Sequence, residues 1–266
     1  MSVPTEVLAH YDEGAERTRL TQGTGRLELW RTQDILSRYL PPPPRRVLDV
    51  GGGPGVYAEW LTTLGYQVHV VDPVPLHVEQ AAALPGVTAE RGDARALTQD
   101  AASYDVVLAF GPLYHLLQRS DRIAAWREFG RVVVPGGLVA AASIGRFAAL
   151  NDGLVKDWLL DESMAALVEE HAVSGRHRNV DNVPGLFTTA YFHHPDELAV
   201  EVEDAGLELV GTLSVEVTGW LVGGLPTMLD DPARRAVLLR WLRGIEAEPS
   251  LAGASAHQLT LARRRS

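Results

Sequence analysis

The 266-residue sequence contains no cysteine. This excludes disulfide bonds, thiolate nucleophiles and cysteine metal sites. It also lacks an apolar run of the ~18 residues that a membrane-spanning helix needs, and its first residues have no apolar core of signal-peptide length. We therefore expect a soluble, cytoplasmic protein without a membrane partner.

Basic residues are also scarce, because 24 lysines and arginines face 34 aspartates and glutamates, for a formal net charge of −10. A long phosphate polymer would meet net repulsion on such a surface unless a local basic patch overrode it. A nucleic-acid partner is therefore a minority hypothesis. The hydrophobic content of 46% is enough for a full core in one large domain or a domain with an insertion.

An amphipathic helix is predicted near the amino terminus, in RLELWRTQDILSRYL. Its apolar side chains fall on one helical face; they are Leu29, Ile35, Leu36, Tyr39 and Leu40. The four prolines at 41–44 end this helix. We expect residues 1–40 to form an amino-terminal helical cap and residues 41–266 to form the core of the protein.

From residue 46 to about residue 145 the sequence alternates between short β-branched runs and helical patterns. Alternating strands and helices predict a parallel, doubly wound sheet with right-handed crossovers. Residues 146–192 break this alternation with helical stretches and a polar loop, and are longer than a usual connection. We expect them to form a helical lid inserted into the core, after which strands and helices resume.

The stretch VLDVGGGPGV at 47–56 predicts a ligand-binding turn between a strand and a helix. A dinucleotide fingerprint, G-x-G-x-x-G, would place its third glycine where Val56 stands. Instead the glycines fall at 51, 52, 53 and 55, and Asp49 lies two residues before the first. A negative charge there favours a cationic cofactor over a pyrophosphate. A tight turn without a ligand is the alternative interpretation.

Two further acids follow the next two predicted strands. Asp72 closes the second strand, 21 residues after Gly51, where a carboxylate can accept the hydroxyl protons of a ribose in either kind of nucleoside. Asp93 ends the third strand, where it can accept from an adenine amino group while the amide of Ala94 donates to the ring. Because the carboxyl ends of parallel strands line one crevice, these acids predict a nucleoside site there.

These residues resemble the class I S-adenosylmethionine-dependent methyltransferases. DVGGGPG resembles their first motif, VVDPV the second and GDAR the third, while YDVVLAFGPLYHL resembles the fourth-strand motif of small bacterial members. The resemblance is close over residues 46–145 and resumes weakly from residue 193. It implies an α/β, Rossmann-like, doubly wound sheet of seven strands that is mostly parallel, with the last strand, HQLTLAR, antiparallel.

The resemblance also implies S-adenosylmethionine as the cofactor. In similar methyltransferases a tyrosine of the amino-terminal segment folds over the cofactor, and Tyr11 stands in that segment. Arg31, on the amphipathic helix, either pairs with the cofactor carboxylate or lies at the surface. The predicted cofactor-binding set is Tyr11, Asp49, Gly51, Gly53, Gly55, Asp72, Pro73, Asp93, Ala94 and Phe110.

The residues after the fourth predicted strand limit the class of molecule that can accept the methyl group. Phe110-Gly111-Pro112 lacks the leading amide or acid of the Asn/Asp-Pro-Pro-aromatic motif, which is typical of methylation on nucleic-acid bases and protein glutamine. Phe110 also replaces the aspartate with which metal-dependent catechol enzymes bind Mg²⁺, so no metal is expected. These differences favour a small-molecule acceptor.

Methyl transfer from a sulfonium depends mainly on holding the nucleophile and the methyl group in line in a dry pocket. A general base is needed only when the nucleophile arrives protonated. We predict Tyr114 and His115 as catalytic residues, because His115 can accept a proton near neutral pH; packing at a helix start is the alternative for His115. The predicted substrate contacts, Tyr191, His193 and Trp158, come from the lid and from the point where it rejoins the core.

The sequence thus predicts metal-independent, S-adenosylmethionine-dependent methyl transfer to an oxygen or nitrogen atom of a small molecule. A methyltransferase-like protein that binds the cofactor without transferring methyl remains an alternative. An NAD(P)-dependent oxidoreductase is a weaker one, since Val56 and Asp49 disfavour it. The acceptor and the oligomeric state stay open.

Overall fold

The computed structural model describes residues 4–12, 16–181, 183 and 186–266. Residues 1–3 and 13–15 of the predicted cap, and residues 182, 184 and 185 of the predicted lid, lie outside the described residues. Eleven α-helices occur in the described ranges: α1 Thr5–Asp12, α2 Glu16–Arg19, α3 Gly25–Tyr39, α4 Val56–Thr63, α5 Pro75–Ala82, α6 Arg119–Val132, α7 Ala148–Val155, α8 Glu162–Ser174, α9 Pro195–Asp204, α10 Leu225–Asp230 and α11 Pro232–Ile245.

The strands within those ranges form one mixed sheet with a short hairpin attached. They are β1 Arg46–Val50, β2 Gln67–Asp72, β3 Val87–Arg91, β4 Tyr104–Ala109, β5 Val133–Gly145, β6 Arg176–His177, β7 Ala190–His193, β8 Glu208–Ser214 and β9 His257–Arg263. Short 3-10 helices lie at Leu113–His115, Trp158–Leu160, Gly219–Leu221 and Pro249–Ala254.

Five parallel strands lie in the order β3-β2-β1-β4-β5. Strand β9 then pairs antiparallel with β5 and with β8, so the predicted doubly wound sheet with an antiparallel last strand is confirmed. The hairpin of β6 and β7 joins β5 at Ile144 and Gly145, beyond its last pair with β4. The predicted seven strands are therefore present, and the insertion adds two short ones.

Apolar strand residues are buried on both faces of the sheet. One core packs α6 and α9 against it around Trp126 and Phe129, and the other packs α3, α4 and α5 around Ile35, Leu36 and Leu61. This explains why the central strands read as nearly continuous apolar runs. The carboxyl ends of β1, β2, β3 and β4 are left to form the site.

Helix α3 confirms the predicted amphipathic helix but corrects the expectation for Arg31. The side chain of Arg31 is fully buried, because it lies between Leu27 and Ile35 on the inward face. It donates to the carbonyl of Val215 and to Glu246, so it neither lies at the surface nor reaches the cavity described below.

No helix among the described residues is long and apolar enough to cross a bilayer. The insertion, defined as residues 146–192, contains α7, α8, β6 and all of β7 except its last residue, His193. Its division from the cap and the core stays a prediction. It packs beside the amino-terminal helix α1, since Thr188 donates its hydroxyl proton to the carbonyl of Glu6.

Candidate active site

A cavity of about 270 Å³ opens at the carboxyl ends of the parallel strands, where open α/β sheets bind their ligands. Its walls bring together eleven of the residues that the sequence predicts as site residues. They are Tyr11, Asp49, Gly51, Gly53, Asp72, Pro73, Asp93, Ala94, Phe110, Tyr114 and His115.

The loops after β1 and β4 meet at the floor of the cavity. Gly51 has a φ of +66°, and a Cβ on it would lie 2.8 Å from the Cδ atom of Pro112. A Cβ on Gly111 would in turn lie 2.7 Å from the carbonyl oxygen of Gly51. A side chain is therefore excluded at Gly51 and at Gly111, and the backbone is exposed to a ligand at this point.

Asp49 is a buried carboxylate that forms no ion pair with the described residues. Neither of its oxygens has a hydrogen-bond partner within the described part of the chain. Burial, with a further contribution from Asp72, raises the pKa of Asp49 to about 7. A Cβ on Gly52 would lie 2.6 Å from its Oδ2 atom, so glycine is required beside it. An unpaired buried acid on a cavity wall fits a ligand that brings a cation or hydrogen-bond donors.

Asp72 has partners, and they fix the glycine loop. Its Oδ2 atom accepts from the amide of Gly53 at 2.9 Å, and its Oδ1 atom accepts from the amide of Val74 at 2.9 Å. His77 approaches Oδ1 with its Nδ1 atom at 3.2 Å. Each carboxylate oxygen has two lone pairs, so capacity remains for a ligand hydroxyl.

Asp93 is held by Arg95. The Nε and backbone amide of Arg95 both donate to Oδ1 at 2.9 Å, and its Nη2 atom donates to Oδ2 at 2.5 Å. Partial burial by itself would raise the pKa of Asp93, but the hydrogen bonds and charge of Arg95 lower this pKa. Asp93 therefore stays ionised at the cavity wall, with its orientation fixed.

The amino-terminal segment covers the cavity and contributes residues that the sequence did not predict. Arg19 lines the cavity and donates to Glu16 at 2.9 Å and to Glu28 at 2.6 and 3.1 Å. Burial by itself would raise the pKa of Glu28, but the charges of Arg19 and His257 lower this pKa. No motif marks these charges in the sequence, because α2 is only four residues long and its partners depend on how the segment folds back.

Tyr114 and His115 lie in the turn after β4 and both have partners. The hydroxyl of Tyr114 donates to the carbonyl of Phe110 at 2.8 Å. The Nδ1 atom of His115 lies 3.1 Å from the carbonyl of Thr189, and its Nε2 atom lies 2.9 Å from the hydroxyl of Tyr11. Burial lowers the pKa of His115 to about 4.

The predicted substrate contacts Tyr191 and His193 lie on β7 and do not line this cavity. The hydroxyl of Tyr191 donates to Glu197 at 2.7 Å. His193 is fully buried with its Nε2 atom 3.6 Å from Glu201. They lie where the insertion rejoins the core, but side chains of helix α9 rather than the cavity face them.

Trp158 and Gly55 are also corrected. Trp158 belongs to a 3-10 helix of the insertion, and the ammonium of Lys156 lies 4.6 Å from its ring centroid. Gly55 precedes α4 with a φ of +90°, and a Cβ on it would lie 2.6 Å from Leu84. Neither residue lines the cavity; Gly55 is needed for the turn and for packing.

Glu28, Glu216 and His257 come close enough together to resemble a metal site. The Nδ1 atom of His257 lies 2.7 Å from Glu216. Burial by itself would lower the pKa of His257, but the carboxylates of Glu28 and Glu216 raise this pKa to about 9. A protonated histidine together with Arg19 balances these carboxylates, so the contacts of the cluster are those of an ion-pair network.

Comparison with known proteins gives a consistent family. A model described as a methyltransferase domain matches residues 47–137. A ubiquinone biosynthesis O-methyltransferase of Methylocella silvestris is 38% identical over 134 residues, which cover 46% of this chain and 51% of that protein. An uncharacterized methyltransferase of Mycobacterium tuberculosis is 31% identical over 190 residues, covering 70% of this chain and 71% of that one. The chain thus spans about half the length of the Methylocella relative.

Solved structures share the fold. An S-adenosylmethionine-dependent methyltransferase from Mesorhizobium loti superposes with a TM-score of 0.58 at 18% identity, covering 88% of this chain and 98% of that one. One from Methanosarcina mazei gives a TM-score of 0.58 at 16% identity, covering 87% and 97% of the two chains. At these identities the likeness establishes the Rossmann-like architecture alone.

Proposed function

We propose a function for this chain from the premise that it belongs to the class I S-adenosylmethionine-dependent methyltransferases, as the domain match and the mycobacterial relative establish. Its cofactor is S-adenosylmethionine. We infer that the chain transfers the methyl group to an oxygen or nitrogen atom of a small molecule. The observation that carries this proposal is the buried carboxylate of Asp49 beside the glycine loop, which has no hydrogen-bond partner among the described residues.

The residues of the cavity fit this cofactor. We assign the ammonium group of its methionine part to Asp49 and the ribose hydroxyls to Asp72. Asp93 and the amide of Ala94 receive the adenine ring. Close approach of the backbone at Gly51 and Gly53 supports the assignment, because a Cβ in this loop would collide or strain the turn. When bound, the cofactor supplies a methyl group on a positively charged sulfur.

The work of the chain is then to orient the two reactants and exclude water. Apolar side chains on the cavity wall, among them Val7, Leu20 and Phe110, keep the reacting groups dry, which favours an in-line displacement. Oxygen is supported ahead of nitrogen by the Methylocella relative, which is named an O-methyltransferase. Cytoplasmic location and the lack of a nucleic-acid partner stay predictions.

The proposal is tested by incubating the protein with S-adenosylmethionine and a panel of small phenols, other alcohols and amines. S-adenosylhomocysteine is measured by mass spectrometry, and we expect it to form with at least one hydroxyl or amine compound. In parallel, calorimetric titration compares S-adenosylmethionine with NADH. Tight binding of NADH without binding of S-adenosylmethionine would refute the proposal, and cofactor binding without product on any acceptor would indicate a non-catalytic protein.

A first variant tests the ribose assignment. Asp72→Ala should weaken S-adenosylhomocysteine binding by about 1 to 3 kcal/mol, because hydrogen bonds to a charged group are lost. Asp100→Ala, which removes an exposed carboxylate outside the cavity, is the matched control and should bind normally. Equal affinities of the two variants in calorimetry would mean that the ribose site lies elsewhere.

A further inference from the structure

His115 has both ring nitrogens engaged in hydrogen bonds. Its Nδ1 atom faces the carbonyl of Thr189 at 3.1 Å, and because a carbonyl only accepts, the proton must be on Nδ1. In a neutral imidazole the other nitrogen is then an acceptor. The hydroxyl of Tyr11, 2.9 Å away, therefore donates to Nε2 and occupies the lone pair that a substrate proton would need.

The surroundings favour a neutral pair. Burial lowers the pKa of His115 to about 4. Burial also raises the pKa of Tyr11 well above its usual value, as does the neighbouring Tyr114. The proton thus stays on the tyrosine oxygen, and His115 is a poor proton acceptor at neutral pH.

This pair joins three distant segments at the cavity wall. Tyr11 comes from α1, His115 from the turn after β4, and Thr189 from the end of the insertion. Phe187 stacks on the His115 ring at a centroid distance of 5.8 Å and an interplanar angle of 28°. The hydroxyl of Thr189 also donates to Glu6 on α1 at 3.1 Å. The insertion therefore supports α1 and His115 from behind, and none of its described residues lines the cavity.

Tyr11 reaches the cofactor end of the cavity. Its ring makes an edge contact with His77 at a centroid distance of 5.4 Å, and His77 is hydrogen-bonded to Asp72. A hydroxyl fixed by His115 thus places the tyrosine ring beside the residue assigned to the ribose.

We propose that His115 is a positioning residue, which holds Tyr11 and with it helix α1 over the cofactor cavity, and that it does not accept the proton of the substrate. This inference rests on the proposed function, since it requires S-adenosylmethionine in the cavity. It replaces the sequence-based prediction of His115 as a base. In the bound enzyme, loss of this link should let α1 open and release the cofactor faster.

The test measures affinity and dissociation rate of S-adenosylhomocysteine, so the acceptor need not be known. His115→Ala and Tyr11→Phe should each weaken binding roughly threefold to tenfold, as expected for one lost hydrogen bond, with a faster dissociation rate. Because both variants break the same link, the double variant should be no weaker than the weaker single one. His115→Gln, whose amide can accept from Tyr11 and donate to Thr189, should stay within about threefold of wild type.

The base hypothesis predicts a different pattern. It requires unchanged cofactor affinity in His115→Ala and, with any acceptor found in the panel, equal loss of turnover in His115→Gln and His115→Ala. That outcome would overturn our proposal. His69→Gln, in a histidine that bonds Thr88 between β2 and β3, is the control and should bind normally. If thermal unfolding shows that His115→Ala does not fold, the affinities of Tyr11→Phe and His115→Gln for S-adenosylhomocysteine distinguish the two hypotheses.

The two proposals can fail separately. If wild-type protein does not bind S-adenosylhomocysteine, the proposed function itself is refuted. If wild type binds S-adenosylhomocysteine but the losses of affinity in His115→Ala and Tyr11→Phe add up in the double variant, only the proposed link between these two residues is wrong.

Discussion

At the residue scale, the buried carboxylate of Asp49 is the feature that separates this loop from a dinucleotide loop. An isolated buried charge costs free energy, and proteins normally pair it or neutralise it. Asp49 has no partner among the described residues, while a Cβ at Gly52 would press against its oxygens. A bound ligand that brings a positive charge or hydrogen-bond donors would satisfy this acid, as the proposed cationic cofactor does.

This environment predicts a pH-dependent affinity. With the pKa of Asp49 raised to about 7, the unliganded acid is mostly protonated below that pH, whereas an ammonium group prefers the carboxylate. Affinity for S-adenosylmethionine should rise from pH 5 to about pH 7, by at most about tenfold per pH unit, and then level off. Calorimetry across this range measures the effect.

Asp49→Asn is the matched variant for this prediction. An amide of the same shape does not titrate, so the affinity of the variant should be lower at pH 8 and nearly flat between pH 5 and pH 8. A wild-type affinity that does not change over this interval would show that Asp49 does not contact the charged part of the cofactor.

At the element scale, α3 is docked by an ion-pair cluster in addition to apolar packing. Arg31 donates to Val215, to Asp34 at 2.9 Å and to Glu246 at 2.5 Å. Arg38, about two turns further along α3, reaches Glu246 at 2.6 Å from a more exposed position. The cluster ties α3 to the segment after α11 and so supports the cover of the cavity.

These two arginines give a paired stability prediction. Arg31→Ala leaves Glu246 and a carbonyl without their buried partner, and should lower the free energy of unfolding by about 3 to 5 kcal/mol. Arg38→Ala removes a more exposed contact and should cost about 1 kcal/mol or less. Urea denaturation measures both. Equal losses in the free energy of unfolding would mean that the buried contacts of Arg31 stabilise the fold no more than the exposed ion pair of Arg38.

At the scale of the whole molecule, charged groups from remote segments meet beneath the amino-terminal cover. His257 opens β9, Glu216 follows β8 and Glu28 lies on α3. The pKa of His257, raised to about 9 against an ordinary value of 6.5, means that the folded state holds its proton more tightly than the unfolded chain. Its contribution to stability is complete below about pH 6.5 and is lost as the pH rises through 9.

Stability should therefore fall on the alkaline side. Relative to His257→Gln, the wild-type free energy of unfolding should decrease by about 1 to 3 kcal/mol between pH 6.5 and pH 10. Chemical denaturation at several pH values tests this. Parallel curves for the two proteins would contradict the ion-pair assignment.

Most of the successful predictions came from patterns of residues that are neighbours in the sequence. The alternation of β-branched and helical runs predicted the parallel strands, the apolar face of one helix predicted α3, and the resemblance implied the antiparallel last strand. Such patterns are readable because the periodicity of a strand or helix depends on residues close together in the chain. The same holds for Asp49, Asp72 and Asp93, since each lies at or just after the carboxyl end of its own strand. Their shared cavity was predictable because parallel strands end at one edge of a sheet.

Long-range contacts were beyond such reasoning. Tyr11 and His115 are 104 residues apart, and no local pattern shows that the hydroxyl of one meets the ring of the other. Tyr191 and His193 were placed at the substrate because they rejoin the core near it, but α9 covers them. A sequence pattern shows that a side chain faces inward and not which element packs against it.

The sequence by itself determined the architecture and the cofactor, through motifs whose residues lie within one strand, loop and helix start. Only the tertiary structure decided that α1 and Arg19 cover the cavity, that Arg31 is buried away from it, and that His115 binds a tyrosine. The physical reason is that these contacts depend on how segments far apart in the chain pack together, which the periodicity of each segment does not specify.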